Sequence, residues 1–217
     1  MTAASSSVRS ILERERVLPV VVLDDAASAV ALGAAVRAGG LSTIEVTLRT
    51  PAAKAAIAAL AAEGDLVIGA GTVLTRDHAA MAIDAGAQFI VSPGVSAAVV
   101  SYCHEVGVPV FPGVATPTEI QMALELGCNV VKFFPADING GLPAVKALSA
   151  PFGDLKFVPT GGISADTLAA YLAHPAVLAV GGSWIVARPL IAASDWPAIT
   201  ALVAGAVAIA EGVGAHG

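Results

Sequence analysis

Eight short runs rich in β-branched residues recur along this chain, each followed by an alanine-rich stretch with helical spacing. The strand candidates are residues 17–23, 43–48, 66–70, 88–92, 108–112, 129–134, 155–160 and 177–181. Helical patterns lie near 26–38, 51–62, 75–85, 95–106, 117–126, 141–149, 164–173 and 195–210. Helix starts are marked by Thr50-Pro51, with proline at the first helical position, and by Thr75 and Ser164. Gly39-Gly40, Gly64, Gly86, Gly107 and Gly127 stand where helices end and a left-handed residue is wanted. Strict alternation of this kind calls for a parallel sheet with right-handed crossovers. Near-continuous apolar strands mean that both faces of the sheet are covered. Eight units in this length favour an α/β fold of the closed (β/α)8 TIM-barrel type over an open doubly wound sheet. Residues 9–16 read as an extra N-terminal helix closing one end.

The 217 residues suit one domain, taken as 1–217, with no linker or low-complexity tract. With 56% hydrophobic and 13% charged residues, the chain is built around a large core rather than disordered. A formal net charge of −6 with no basic cluster argues against nucleic acid as a partner. Cys103 and Cys128 form neither a disulfide framework nor a metal-ligand pattern and read as free buried thiols in a reducing cytoplasm. The polar start lacks the apolar core of a secretory signal. The uncharged run 196–210 is shorter than a membrane span, and Ser92-Pro93-Gly94 breaks the apolar run 85–103, so no membrane association is expected.

Within the sixth candidate strand, Asn129-Val-Val-Lys-Phe-Phe-Pro-Ala136 carries a lysine in an apolar run. Alternation puts Val130, Lys132 and Phe134 on one face. Burial disfavours an ammonium and favours a neutral amine, the reagent that forms a Schiff base with a ketone. The plainer alternative is a lysine that lays its stem on apolar surface and keeps its charge in water. On the second strand, Glu45 and Thr47 face opposite to Ile44, Val46 and Leu48. If that face lines the interior, Glu45 needs a partner or a task. A structural ion pair with Arg49 or Lys132 is one answer and acid–base catalysis the other. Side chains in one barrel layer come from alternate strands, so Lys132 and Glu45, both on even-numbered strands, can meet at the centre.

The carboxyl ends of the strands, where such folds place their sites, carry the other unusual residues. Gly69-Ala-Gly71-Thr72-Val73 lets backbone approach a ligand but is not a dinucleotide fingerprint. Ser92-Pro93-Gly94 and Phe111-Pro112-Gly113 are also explicable as turns. Pro159-Thr160-Gly161-Gly162-Ile163-Ser164 and Val180-Gly181-Gly182-Ser183 follow the last two strands, the usual phosphate position in these barrels. Arg49 could hold an anionic substrate end. Amine, carboxylate, arginine and phosphate loops together suit imine chemistry on a phosphorylated keto acid.

Glu45-Val-Thr-Leu-Arg49-Thr, Gly69-Ala-Gly-Thr72-Val-Leu, Ser92-Pro-Gly, Val131-Lys132-Phe-Phe-Pro-Ala, Pro159-Thr160-Gly-Gly-Ile and Gly181-Gly-Ser183-Trp occur in this order. The ordered set resembles the bacterial 2-keto-3-deoxy-6-phosphogluconate (KDPG) aldolase family, class I enzymes also called 4-hydroxy-2-oxoglutarate aldolases, over roughly residues 10–195. The resemblance implies Lys132 as the Schiff-base lysine and Glu45 as the general acid/base. It implies Arg49 and Thr72 as holders of the pyruvate carboxylate, with Pro93 and Phe134 as further substrate contacts. Thr160 matches a position tied to stereochemical control at C4, and Gly161, Gly162, Gly182 and Ser183 match a phosphate pocket. It also implies a cytoplasmic homotrimer in Entner–Doudoroff-type catabolism, acting on a phosphorylated 2-keto acid and pyruvate. No metal and no cofactor beyond the covalent Schiff base are implied. His78, His104, His174 and His216 show no metal-ligand spacing. Asp24-Asp25 departs from the basic residues of some members and reads as the acidic opening of the first helix.

The expected reaction is reversible cleavage of KDPG to pyruvate and glyceraldehyde 3-phosphate. The nearest rivals keep the imine chemistry on 4-hydroxy-2-oxoglutarate, on oxaloacetate, or on the galactonate epimer of KDPG, whose own aldolases tend to lack the Thr-Leu-Arg and Lys-Phe-Phe forms. Further off stand a non-catalytic barrel that binds phosphosugar acids and a phosphosugar isomerase, which would have no use for a buried lysine at this place.

Overall fold

The computed structural model of the chain describes residues 3–214. Met1, Thr2 and residues 215–217, which include His216 and both ends of the expected domain, lie outside the described residues. The strands are β1 (Val17–Val21), β2 (Thr43–Thr47), β3 (Val67–Gly71), β4 (Phe89–Val91), β5 (Val110–Phe111), β6 (Gly113–Val114), β7 (Val130–Phe133), β8 (Lys156–Pro159) and β9 (Val180–Gly182). Every pairing is parallel, in a six-stranded sheet ordered β5-β4-β3-β2-β1-β9 and a three-stranded sheet ordered β6-β7-β8. The helices are α1 (Ala3–Glu15), α2 (Ala29–Ala38), α3 (Ala53–Glu63), α4 (Arg76–Asp84), α5 (Ala97–Glu105), α6 (Pro117–Glu125), α7 (Gly141–Ser149), α8 (Ala165–Leu172), α9 (Arg188–Ala192) and α10 (Trp196–Gly214).

The sheet is parallel and curled. Leu18, Val20, Phe89, Val91, Phe111, Val130, Val158 and Leu178 turn to the concave side and pack on one another, joined by Val8 and Leu12 of α1. The N-terminal helix thus caps this inner core, as expected from the sequence. Their alternates, among them Val21, Ile44, Val46, Ile68, Ala70, Ile90, Val131, Phe133 and Phe157, face outward into a larger core beneath the helices. Each fully buried Leu, Ile, Val or Phe contributes about 1.5–3 kcal/mol through removal of apolar surface from water. Period-two alternation therefore fixes which side chains are available to line a central site.

Several boundaries differ from the sequence reading. The expected strand 108–112 is split, because Pro112 has no N–H to donate to a ladder. Its carbonyl still accepts from Lys132 N at 2.9 Å, and the chain pairs with β4 before the proline and with β7 after it. The last strand is Val180–Gly182 rather than 177–181, with Val177 making only an isolated bridge to Phe157. Pro51 lies in a turn ahead of α3, while Thr50 uses its hydroxyl on the Leu23 carbonyl. Thr75 and Ser164 do cap α4 and α8. Gly39 is right-handed; Gly40, at φ +101°, makes the left-handed turn. Asp25 caps a short 3-10 turn by accepting from Ala27 N, whereas Asp24 pairs with Arg188.

The last helix runs to Gly214, 19 residues, so by length and composition alone it matches a membrane span. The sequence pattern alone ends it near 210. Ile199, Val203, Ala206 and Ala210 form its buried face, and it packs against α2 and α8.

Candidate active site

Glu45 sits mid-strand on β2, facing inward beside Thr43 and Thr47, and all three are buried. Lys132 sits on β7, also inward and buried. Across the curl, Lys132 Nζ donates to Glu45 Oε1 at 3.2 Å. Of the two ion pairs open at the sequence level, the structure therefore chooses Glu45–Lys132. The snorkelling alternative for Lys132 does not fit, since its side chain retains only 8% exposure. The ammonium also lies 5.0 Å from the centre of the Phe134 ring, within cation–π range. Beneath the pair, among Leu12, Leu18, Val91, Phe111 and Val158, the free space is about 10 Å3, the lower limit for one water. The pair thus stands between a small void on one side and an open cavity on the other.

The room for Glu45 comes from β3. A Cβ on Gly71 would stand 2.0 Å from Glu45 Oε1, and one on Gly69 would stand 2.1 Å from the Phe89 ring. The inward face of β3 therefore carries no side chain where its neighbours on β2 and β4 lean across. The sequence reading assigned these glycines to ligand approach; their structural task is to admit the carboxylate and the ring.

Above the pair lies a cavity of about 370 Å3 at the carboxyl ends of the strands. Lys132, Arg49, Thr72, Pro93, Phe134, Thr160, Gly161, Gly162 and Ser183 all line it. The structure thus brings together nearly the whole set singled out from the sequence. Glu45 stays below, reached through Lys132. Gly182 is the exception: Gly181 lines the cavity in its place, while a Cβ on Gly182 would meet the Trp184 ring at 2.1 Å. Val20, Val22, Thr47 and Ile163 also line the cavity and were missed. Thr47 was within reach of the alternation argument, two residues past Glu45 on the same face; its hydroxyl donates to Val21 O at 2.8 Å.

Thr72 has φ +58°, a left-handed conformation that a β-branched residue rarely adopts. Such strain costs on the order of 1–3 kcal/mol and persists only where neighbours impose it. Here Leu48 N donates to Gly71 O at 2.8 Å and Val73 N to Val91 O at 3.2 Å, pinning the chain on both sides. Pro93 is held similarly: Ser92 Oγ donates to Gly94 O at 2.7 Å, and the Pro93 carbonyl fills the space a Cβ on Gly113 would need. Thr160 Oγ1 occupies the corresponding space at Gly181. The Gly161-Gly162 turn is left-handed at both residues, φ +102° and +70°. Its carbonyls accept from the β7–α7 loop, Ala136 N to Thr160 O at 2.8 Å and Asp137 N to Gly161 O at 3.2 Å.

A buried amine touching a carboxylate, beneath a cavity with an arginine on one side and glycine turns on another, can form and hydrolyse an imine with local proton transfer. A family model for KDPG and KHG aldolase matches residues 8–202. The chain belongs to the KDPG and KHG aldolase family. It is 53% identical over 192 residues to a 2-dehydro-3-deoxy-phosphogluconate aldolase of Treponema pallidum, covering 88% of this chain and 91% of the relative. It is 41% identical to the KHG/KDPG aldolase of Escherichia coli, covering 93% and 95% of the two chains. Among solved structures, the KDPG aldolase of Legionella pneumophila, with pyruvate captured at low pH as a covalent carbinolamine, superposes with a TM-score of 0.88. The two share 40% identity over 91% of this chain and 97% of that one.

Outside the site, Cys103 and Cys128 are free and buried, as expected. Burial, helped by the neighbouring Cys128, pushes the Cys103 thiol up to about 12, and burial pushes Cys128 up to about 11. Among the described residues no group of three His, Cys, Asp or Glu is arranged to hold a metal ion.

Proposed function

We propose that this chain cleaves KDPG reversibly to pyruvate and glyceraldehyde 3-phosphate through a Schiff base on Lys132. The observation that carries this is the buried Lys132–Glu45 contact at the floor of the cavity. Glu45 takes the proton from the Lys132 ammonium, and the freed amine adds to the C2 ketone to give a carbinolamine. Loss of water, with a proton returned by Glu45, leaves an iminium. Glu45, through one water, then takes the C4 hydroxyl proton. The C3–C4 bond breaks, its electron pair passes into the iminium to give an enamine, and the aldehyde departs. Protonation at C3 and hydrolysis release pyruvate and restore the amine. No external cofactor enters, because the iminium is the electron sink.

In this reading Arg49 and Thr72 hold the keto-acid carboxylate, Phe134 and Pro93 wall the reacting carbons, and Thr160 stands near C4. The turns at Gly161-Gly162 and Gly181-Gly182-Ser183 offer backbone N–H groups and a hydroxyl to the phosphate. The whole chain, 1–217, is one catalytic domain, and its strands form the eight-unit closed barrel. Two features support closure: β5 and β6 are halves of one strand interrupted at Pro112, and bridges Phe157–Val177 and Thr160–Gly181 bring β8 to β9. The assembly is a cytoplasmic homotrimer serving Entner–Doudoroff-type catabolism, by analogy with the family.

A second reading, cleavage of 4-hydroxy-2-oxoglutarate, is supported by the double name of the E. coli relative. Steady-state rates on KDPG, its galactonate epimer and 4-hydroxy-2-oxoglutarate test the assignment. KDPG should have the highest kcat/KM; no pyruvate released from any of the three would overturn it.

A further inference from the structure

The β7–α7 loop places an acidic side chain directly against the glycine turn. A Cβ built on Gly162 would fall 2.2 Å from the Asp137 carboxylate, so that group occupies the space where a side chain at residue 162 would begin. Asp137 is exposed, and its Oδ1 accepts from Ile138 N at 2.8 Å, which fixes its orientation. Its charge reaches other groups nearby: burial first, then Asp137, pushes the Tyr171 phenol up. The charged residues that line the cavity are Arg49, two residues past the end of β2, and Lys132 on β7.

We infer that Asp137 is a specificity-determining residue whose carboxylate weakens the hold of the glycine turn on a phosphate dianion. The inference rests on the reading of this turn as the phosphate end of the site. A phosphate bonded to the Gly162 N–H lies within a few ångströms of Asp137, and like charges at that range repel by an amount that salt screens. The backbone attracts the phosphate while Asp137 opposes it, which favours release of the phosphorylated aldehyde over tight retention. Gly162 is confined to glycine for two reasons, its left-handed φ and the carboxylate beside it.

The test is the ratio of kcat/KM for KDPG to that for its dephosphorylated parent, 2-keto-3-deoxygluconate, in wild type, Asp137→Asn, Asp137→Glu and Asp154→Asn. Asp154 is exposed in the turn before β8, at the opposite end of the strands, and controls for net charge. D137N should raise the ratio roughly threefold to tenfold at low salt, the gain shrinking as ionic strength rises past ~0.5 M. D137E, which keeps the charge, and D154N should stay near the wild-type ratio. An unchanged ratio in D137N, including one in which both rates fall together, overturns the inference while leaving the phosphate site in place. A wild type that cleaves both substrates equally well, and that inorganic phosphate does not inhibit, overturns the phosphate reading itself.

Discussion

The Glu45 carboxylate occupies the place where a side chain on Gly71 would begin, with Oε1 2.0 Å from the ideal Cβ position. Gly71 and Thr47 are paired across β2 and β3, so the carboxylate leans over β3 on its way to Lys132. Gly71→Ala should displace Glu45 from the amine with little change elsewhere in the strand. We expect kcat to fall by at least roughly 10²-fold, the usual contribution of a positioned acid–base group. Glu45→Gln should give the same loss, and in both variants proton exchange at the pyruvate methyl should slow in step. Near-normal exchange and cleavage in either variant would make the carboxylate structural.

The buried pair should add little net stability. Desolvating two charges costs about as much as their attraction returns, whereas leaving one alone costs about 3–5 kcal/mol. Glu45→Leu and Lys132→Met should each lower the free energy of unfolding by that amount in urea, while the double variant should regain most of it and remain inactive. Additive losses in the double variant would show that the two side chains are not coupled.

Thr72 holds its left-handed backbone against its own side chain. Glycine adopts that conformation freely, so Thr72→Gly should leave the melting temperature unchanged or raise it, strain relief of about 1–3 kcal/mol opposing the entropy lost by glycine. The same change removes a hydroxyl at the cavity wall and should raise KM for pyruvate in the condensation direction by roughly tenfold. A destabilised variant with unaltered KM would mean that Thr72 serves the fold alone.

Much of this was legible in the sequence because it depends on local periodicity. Alternation separated Glu45 and Lys132 from Ile44, Val46, Val131 and Phe133, and their places on the second and sixth strand candidates of the sequence allowed the two polar groups to share one level. Thr75 and Ser164 were readable as caps because capping is decided within four residues. What was not legible depends on partners distant in sequence. Gly69 and Gly71 look like ligand-approach glycines until Phe89 and Glu45 are seen in their space. Gly182 reads only as a turn residue near the phosphate loops until the Trp184 ring is seen in the space where its side chain would stand. The break at Pro112 needed the pairing of β5 and β6 with different neighbours to explain it.

The two thiols supply a pH dependence with a definite sign. Folding raises Cys103 to about 12 and Cys128 to about 11 from 9.0, so each contributes stability below about 9 that is lost as pH rises toward those values. Cys103→Ala with Cys128→Ala should therefore flatten the alkaline limb of the unfolding free energy between about pH 9 and 11. In the native protein at pH 8, neither thiol should react with a disulfide reagent on the timescale of minutes, and both should react in denaturant. Rapid labelling of the folded chain would contradict the burial of both.

Reductive trapping tests most directly whether Lys132 forms the imine. Borohydride added with pyruvate should attach ~72 Da to the chain, the mass of a reduced pyruvyl imine. Peptide mapping should place it on Lys132 and on no other lysine, with activity lost in proportion and unaffected by EDTA. Lys132→Arg should trap nothing and fold normally. A chain that retains an unmodified Lys132 under these conditions while still cleaving KDPG, or one whose activity disappears in EDTA and returns with a divalent metal, would contradict the account.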